Sequence, residues 1–71
     1  MNTTTKHDRD QVLAFIEMFV AERGYAPGVR DVMHHLGHRS TSHALYVLDE
    51  LQREGKVVRE PGIARSIRVV R

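Results

Sequence analysis

The side chains with the clearest potential for chemistry lie in one short stretch, RSTSHALY, which runs from residue 39 to residue 46. A serine hydroxyl or a histidine ring can donate or accept a hydrogen bond, and an apolar side chain can contact a thymine methyl group. If a helix begins inside this stretch, its first backbone N–H groups have no partner within the helix and suit a phosphate. The stretch therefore carries groups able to read base edges, and Arg39 can add a charged contact beside them.

Four histidines, at positions 34, 35, 38 and 43, suggest a different chemistry, metal binding. His34 and His38 would share one face of a continuous helix, as metal ligands often do. Gly37 interrupts that helix, however, and the chain has no HExxH arrangement. It also has no Cys, which excludes thiolate ligands and disulfides. No Ser, His and Asp set has a recognisable catalytic spacing, so we expect no metal, no cofactor, no small-molecule ligand and no enzymatic activity.

The length and charge of the chain limit the number of domains and the kinds of partner that it can have. A chain of 71 residues has a small core, and we expect a single domain from residue 1 to residue 71. Residues 1–36 hold four basic and five acidic residues, whereas residues 37–71 hold seven basic and four acidic residues. This bias permits a polyanionic partner but does not identify one. The sequence has neither a membrane-spanning apolar run nor a signal peptide, and we expect a cytoplasmic protein.

Two helices are predicted before Gly37. The first begins at a Thr5 cap, after residues 1–4 that we expect to be frayed, and ends at Gly24. Its apolar stripe comprises Val12, Phe15, Ile16, Phe19 and Val20. The second helix runs from about Val29 to Leu36. Its inward residues are Val32, Met33 and Leu36, and its solvated residues are Arg30, Asp31, His34 and His35.

A third helix follows the turn at Gly37, with N-caps available from residues 40–42 and an end at Gly55. The spacing of three and four places one apolar set on the core side: Ala44, Val47, Leu48 and Leu51. The opposite side carries Ser42, Tyr46, Asp49 and Arg53, flanked by His43, Leu45 and Glu50. Two helices joined by a short turn that contains glycine form a helix-turn-helix.

After Gly55 the pattern changes to two short strands. Residues 57–59 form a β run, residues 60–62 signal a turn, and residues 66–70 alternate. Because a lone hairpin is barely stable, Val57, Ile67 and Val69 should pack on the helices. The predicted fold is therefore α+β and mostly α: a winged helix-turn-helix, with three helices followed by a two-stranded antiparallel β-hairpin.

This fold suggests double-stranded DNA as the partner, because the second helix of a helix-turn-helix enters the major groove with its N-terminal residues leading. The candidates for reading bases are Ser40, Ser42, His43, Leu45 and Tyr46. The candidates for contacting the DNA backbone are Arg39, Thr41, Arg59, Arg65 and Arg68. Asp49 and Glu50 would instead be repelled by phosphate. They leave open an alternative, a protein-interaction module that uses the Leu45 and Tyr46 face to inhibit or adapt a host complex.

From about Thr5 to Val70 the chain resembles the N-terminal DNA-binding domain of the LexA repressor family. The first matching features are the helix-one stripe ending at Gly24 and then Pro27. The others are the Leu36-Gly37-x-Arg39-Ser40 turn, the residues Ala44, Leu48, Leu51 and Gly55, the wing turn at Gly62, and Arg65-x-Ile67-Arg68. Each feature is common alone, but together and in register they are specific.

The resemblance implies a winged helix that inserts its third helix in the major groove and represses transcription. It places Ser40, Ser42, His43, Leu45 and Tyr46 at the base-reading positions. Gly28 stands where the family usually has Ser or Thr, and Leu45 and Tyr46 are less polar than is usual at reading positions. The self-cleaving peptidase domain of the family is absent from these 71 residues. The sequence is therefore either an excised domain or a free-standing bacterial or phage regulator, and we expect a monomer that pairs on DNA.

Overall fold

Three helices and one hairpin make up the fold in the computed structural model, which describes residues 6–37, 41–60 and 62–70. The elements are α1 (Lys6–Arg23), α2 (Val29–Leu36), α3 (Thr41–Arg53), β1 (Val57–Val58) and β2 (Arg68–Val69). The strands are antiparallel, with Val57 opposite Val69 and Val58 opposite Arg68. The predicted fold class is confirmed. We call the hairpin and its loop, residues 57–69, the wing.

One apolar core holds the helices and the wing together. Its members are Val12, Ile16, Val32, Met33, Ala44, Val47, Leu48, Leu51, Val57 and Ile67. The predicted inward face of α3 is confirmed, since Ala44, Val47, Leu48 and Leu51 are each 0% exposed. Because one side of α3 is fully buried, the opposite side must face solvent.

The turn between α2 and α3 begins at Gly37, as predicted. This glycine has a φ of 76°, a left-handed conformation that a residue with a Cβ adopts only with strain. Its N–H donates to the His34 carbonyl oxygen at 3.1 Å, which closes the end of α2. The next three residues, 38–40, and the N-terminal residues 1–5 lie outside the described residues, so the predicted Ser40 and Thr5 caps stay predictions.

At the start of α2, the structure corrects the expected exposure of Asp31. Gly28 has no side chain with which to cap the helix. Instead, the Gly28 backbone N–H donates to Asp31 Oδ2 at 2.9 Å. The Asp31 side chain is consequently only 34% exposed. His35 was also expected in solvent and is exposed, but its ring stacks on Phe15 with centroids 4.3 Å apart.

Two further predictions were wrong at the edges of elements. Val20 is 42% exposed rather than core-facing, and it lines an open groove between α1 and β2 together with Val69. The strands are also shorter than the predicted runs of residues 57–59 and 66–70. The Ser66 hydroxyl takes the place of further pairing, since it accepts from the Glu60 N–H at 2.9 Å and donates to the Glu60 carbonyl at 3.2 Å.

Candidate nucleic-acid interface

The outward side of α3 begins with two exposed polar residues. Ser42 lies in its first turn and Tyr46 one turn later, and Tyr46 is 38% exposed. Both lie opposite the buried Ala44 and Leu48 face, which fixes their direction. A Ser hydroxyl and a Tyr hydroxyl at the N-terminal end of a helix can both donate to and accept from base edges. Ser40, the third polar candidate, lies outside the described residues.

His43 lies on the α1 side of the same helix. Its Nε2 atom is 3.8 Å from Asp8 Oδ2, and the two side chains are 21% and 27% exposed. The contact is an ion pair only when the ring is protonated. The ring is therefore partly enclosed between α3 and α1 and is less available to a groove than Ser42 or Tyr46. The sequence showed no sign of this contact, because Asp8 is remote in the chain.

Leu45 lies on the other flank, in an open cleft of about 670 Å³ between α2, α3 and the wing loop. We call it the wing cleft. Its lining includes Val29, Arg30, Asp31, Thr41, Leu45, Arg59, Ile63, Arg65 and Ile67. Leu45 is half-buried there, whereas Tyr46 is exposed, so the two differ in availability to the partner that the protein-interaction alternative supposes. The cleft brings together three backbone candidates: Thr41, Arg59 and Arg65.

Arg59 lies close to an acidic residue of α3. Its Nη2 atom donates to Asp49 Oδ1 at 3.4 Å, and its side chain is only 19% exposed. Its Nε atom is buried and has no hydrogen-bond partner within the described part of the chain. Glu50 has a similar neighbour, since its Oε1 lies 3.6 Å from Arg53 Nη1. The two acids that argued against DNA are therefore each offset by an arginine, which weakens their repulsion of a phosphate.

Arg65 turns toward the start of α2. Its Nη1 atom donates to the Ala26 carbonyl at 3.2 Å and to Asp31 Oδ2 at 3.3 Å. Its guanidinium carbon also lies 4.9 Å from the centroid of the Tyr25 ring. Like Arg59, this candidate for a phosphate contact already has protein partners.

Arg68 is separated from the other candidates. It is exposed on β2 and lines shallow hollows beside α1 and beside β1, outside the wing cleft. Arg39 lies outside the described residues. The structure therefore unites only part of the predicted backbone set in one place.

Two residues that sequence reasoning passed over also line the cleft. Arg30 is exposed in the first turn of α2, and Ile63 is 57% exposed in the wing loop. Arg30 was interpreted as part of a solvated face. Its position beside a helix N-terminus, where anions bind favourably, was the signal that could have identified it.

A family model for the LexA DNA binding domain matches residues 1–66 of this sequence. The chain belongs to the LexA DNA-binding domain family. The helix-turn-helix, the exposed start of α3 and the first part of the wing fall within the matched segment, which ends just before β2. The resemblance noted from the motifs is thereby confirmed.

Individual relatives show the same similarity. The LexA repressor of Clostridium botulinum is 33% identical over 70 residues, which are 99% of this chain and 35% of that protein. The LexA repressor of Herpetosiphon aurantiacus is 34% identical over 62 residues, 87% of this chain and 29% of that protein. LexA repressor 1 of Geobacter sulfurreducens is 40% identical over 62 residues, 87% of this chain and 31% of that protein. The chain therefore spans about a third of the length of these LexA relatives.

Across residues 6–37, 41–60 and 62–70, no three His, Asp or Glu side chains come close enough together to hold a metal ion. No helix in those ranges is long and apolar enough to cross a membrane.

Proposed function

We propose that this chain is a sequence-specific double-stranded DNA-binding module and acts as a transcriptional repressor of bacterial or phage origin. The observation that carries the proposal is the match to the LexA DNA binding domain over residues 1–66, which includes a helix-turn-helix with one free α3 face. The named relatives are LexA repressors, and repression is inferred from them. In this proposal the module acts in the cytoplasm by occupying an operator, without chemistry and without a cofactor.

In the proposed complex, α3 enters the major groove with its N-terminal residues leading. Ser40, Ser42 and Tyr46 are the main base-reading residues, since the described members of this set are the most exposed. His43 and Leu45 occupy the two flanks and contact bases at the edges of the site. Arg39, Thr41 and Arg68 contact phosphates. Arg59 and Arg65 already have acidic partners, so each would bind a phosphate through its remaining guanidinium N–H groups or by exchanging its partner.

We also propose that the free protein is a monomer and that two copies bind inverted half-sites. One small module buries only about 600–1,000 Å² on DNA, so a single copy binds weakly. Helix-turn-helix pairs occupy half-sites about 34–36 Å apart, one turn of the duplex. Sedimentation of the free protein and of its complex tests this arrangement, and a stable dimer without DNA would contradict it.

The central experiment is the selection of bound sites from random duplex DNA at low salt. The wild type should select one sequence motif, and its affinity should fall steeply with salt because phosphate contacts release counterions. Ser42→Ala and Tyr46→Ala should each change the preferred base at a position within that motif, by about 1–3 kcal/mol for a lost base contact.

Gln52→Ala is the matched control, because Gln52 is an exposed, uncharged residue near the C-terminal end of the same helix. It should leave the motif unchanged. Failure of the wild type to bind any duplex would overturn the proposed function. Selection of the wild-type motif by both the Ser42 and the Tyr46 variants would remove the base-reading role from this face of α3.

A further inference from the structure

A single side chain joins the end of the wing loop to the start of α2. Arg65 contacts three residues that lie far from it in sequence: the Ala26 carbonyl, the Asp31 carboxylate and the Tyr25 ring. Its backbone has a φ of 57°, the left-handed region that non-glycine residues rarely occupy. The wing therefore turns back toward the helix-turn-helix at this residue.

Asp31 connects this contact to the geometry of α2. Its Oδ2 atom accepts both the Gly28 N–H at 2.9 Å and Arg65 Nη1 at 3.3 Å. One carboxylate oxygen thus caps the N-terminus of α2 and holds the wing. Asp31 and Arg65 both line the wing cleft, and their contact joins its wing side to its α2 side.

We infer that Arg65 is a positioning residue, which holds the wing against α2 through Asp31 and so sets its distance from α3. This inference rests on the proposed DNA binding. It differs from the role expected from the sequence, in which Arg65 contacts phosphate. The Nη1 donor that faces the protein is already used by a carboxylate and a carbonyl, and the side chain is only 49% exposed.

The two roles of Arg65 predict opposite effects of Asp31→Asn. Asparagine keeps an oxygen that can accept the Gly28 N–H, so the cap of α2 is retained, but the charge that holds Arg65 is lost. If Arg65 is a phosphate ligand that Asp31 restrains, the variant should bind every DNA sequence more tightly. If Arg65 positions the wing, the variant should bind the selected site up to about fivefold more weakly, as expected for the loss of an exposed ion pair, although it has lost a negative charge.

The experiment measures the affinity of wild type, Arg65→Ala, Arg65→Lys, Asp31→Asn and the Asp31→Asn/Arg65→Ala double variant at several salt concentrations. The probes are the selected duplex and a random duplex of equal length. A positioning role predicts that Arg65→Ala and Asp31→Asn weaken selective binding by similar factors, and that the double variant is no worse than either. Contacting residues commonly show such non-additivity.

The salt dependence of binding and the Arg65→Lys variant also distinguish a positioning role of Arg65 from a phosphate contact. Loss of one phosphate contact reduces the slope of log affinity against log salt by about 0.9, whereas loss of a positioning contact leaves the slope unchanged. Lysine restores a point charge but not the flat guanidinium, which lies over the Tyr25 ring while its Nη1 atom donates to Ala26 and Asp31, so it should not fully rescue a positioning role. Arg68→Ala provides the comparison, since this exposed wing arginine should lower the slope.

Three results would overturn the inference: tighter binding by Asp31→Asn, a slope reduced by about 0.9 in Arg65→Ala, or full rescue by Arg65→Lys. Thermal melting of each variant identifies any that fail to fold. If Arg65→Ala fails to fold, the affinity of Arg65→Lys tests the inference instead, because lysine is nearly as large as arginine. If the wild type binds no duplex, the proposed function fails. If the wild type binds a selected site and only the Arg65 and Asp31 results disagree, this inference alone fails.

Discussion

The helix-turn-helix and the wing differ in how each is attached to the rest of the molecule. α2 and α3 contribute six buried apolar side chains to the core: Val32, Met33, Ala44, Val47, Leu48 and Leu51. The wing contributes only two that are fully buried, Val57 and Ile67, with Val69 partly buried beside them. Its loop is held by polar contacts, Arg59 to Asp49 and Arg65 to Asp31.

The difference lies in the strength of the two kinds of attachment. Fully burying a large aliphatic side chain contributes about 1.5–3 kcal/mol, whereas an exposed ion pair contributes about 0–1 kcal/mol. The orientation of α3 is therefore fixed by packing, and that of the wing loop by contacts that water and salt weaken. On binding DNA, α3 should enter as a rigid element, while the wing loop can adjust its position.

Leu51→Ala should have the largest effect, because it removes a fully buried side chain from the helix-turn-helix. The expected loss is about 2–5 kcal/mol. A domain of this length has a stability of only roughly 4–10 kcal/mol, so thermal melting should show a large drop or an unfolded chain. Met18→Ala is the control, since Met18 is 49% exposed on α1 and its variant should melt almost like wild type. A Leu51→Ala melt equal to that of wild type would mean that packing does not fix α3.

Ile67→Val tests the apolar part of the wing attachment. Removal of one buried methylene should cost about 0.5–1.5 kcal/mol, less than the α3 truncation. Ile63→Val makes the same chemical change at a wing residue that is 57% exposed, and it should leave the melting temperature unchanged. Equal changes in melting temperature at the two positions would show that the burial of Ile67 does not stabilise the attachment of the wing.

Asp49→Asn should have the smallest effect on stability, at most about 1 kcal/mol, because its carboxylate is 62% exposed. Its effect should instead appear in DNA affinity. The substitution removes a negative charge from α3 and frees Arg59 to contact a phosphate, so binding to all duplexes should strengthen and depend more steeply on salt. Glu22→Gln removes a charge in the last turn of α1 and serves as the control. Weaker DNA binding by Asp49→Asn would indicate that Arg59, like Arg65, acts by positioning the wing through its contact with an acidic residue.

The parts of the fold that the sequence predicted are those with local signals. The α2 bounds, the break at Gly37 and the inward face of α3 follow from spacing and from one glycine, and all three are confirmed. The exposure of Val20 was mispredicted because it depends on how closely β2 packs against α1, and the strand lengths were mispredicted because the Ser66 hydroxyl occupies the backbone groups of Glu60. A helical wheel contains no information about either.

The candidate interface was less predictable for the same reason. The sequence identifies Arg59 and Arg65 as basic wing residues, but their partners Asp49 and Asp31 lie on other elements. Likewise, nothing near His43 in the chain indicates that Asp8 lies beside it. Such pairings between distant elements are tertiary properties, and they decide which basic groups are available to a ligand.

The stacking of His35 on Phe15 has a practical consequence for measurements. The chain has no Trp, so the usual intrinsic fluorescence of a folded core is missing. The His35 ring lies over the Phe15 ring with an interplanar angle of 16°, where the aromatic ring current shields its protons. Its NMR resonances should therefore lie upfield of those of a free histidine and return when α1 and α2 separate. The junction between these helices thus contains a native spectroscopic reporter at the edge of the core.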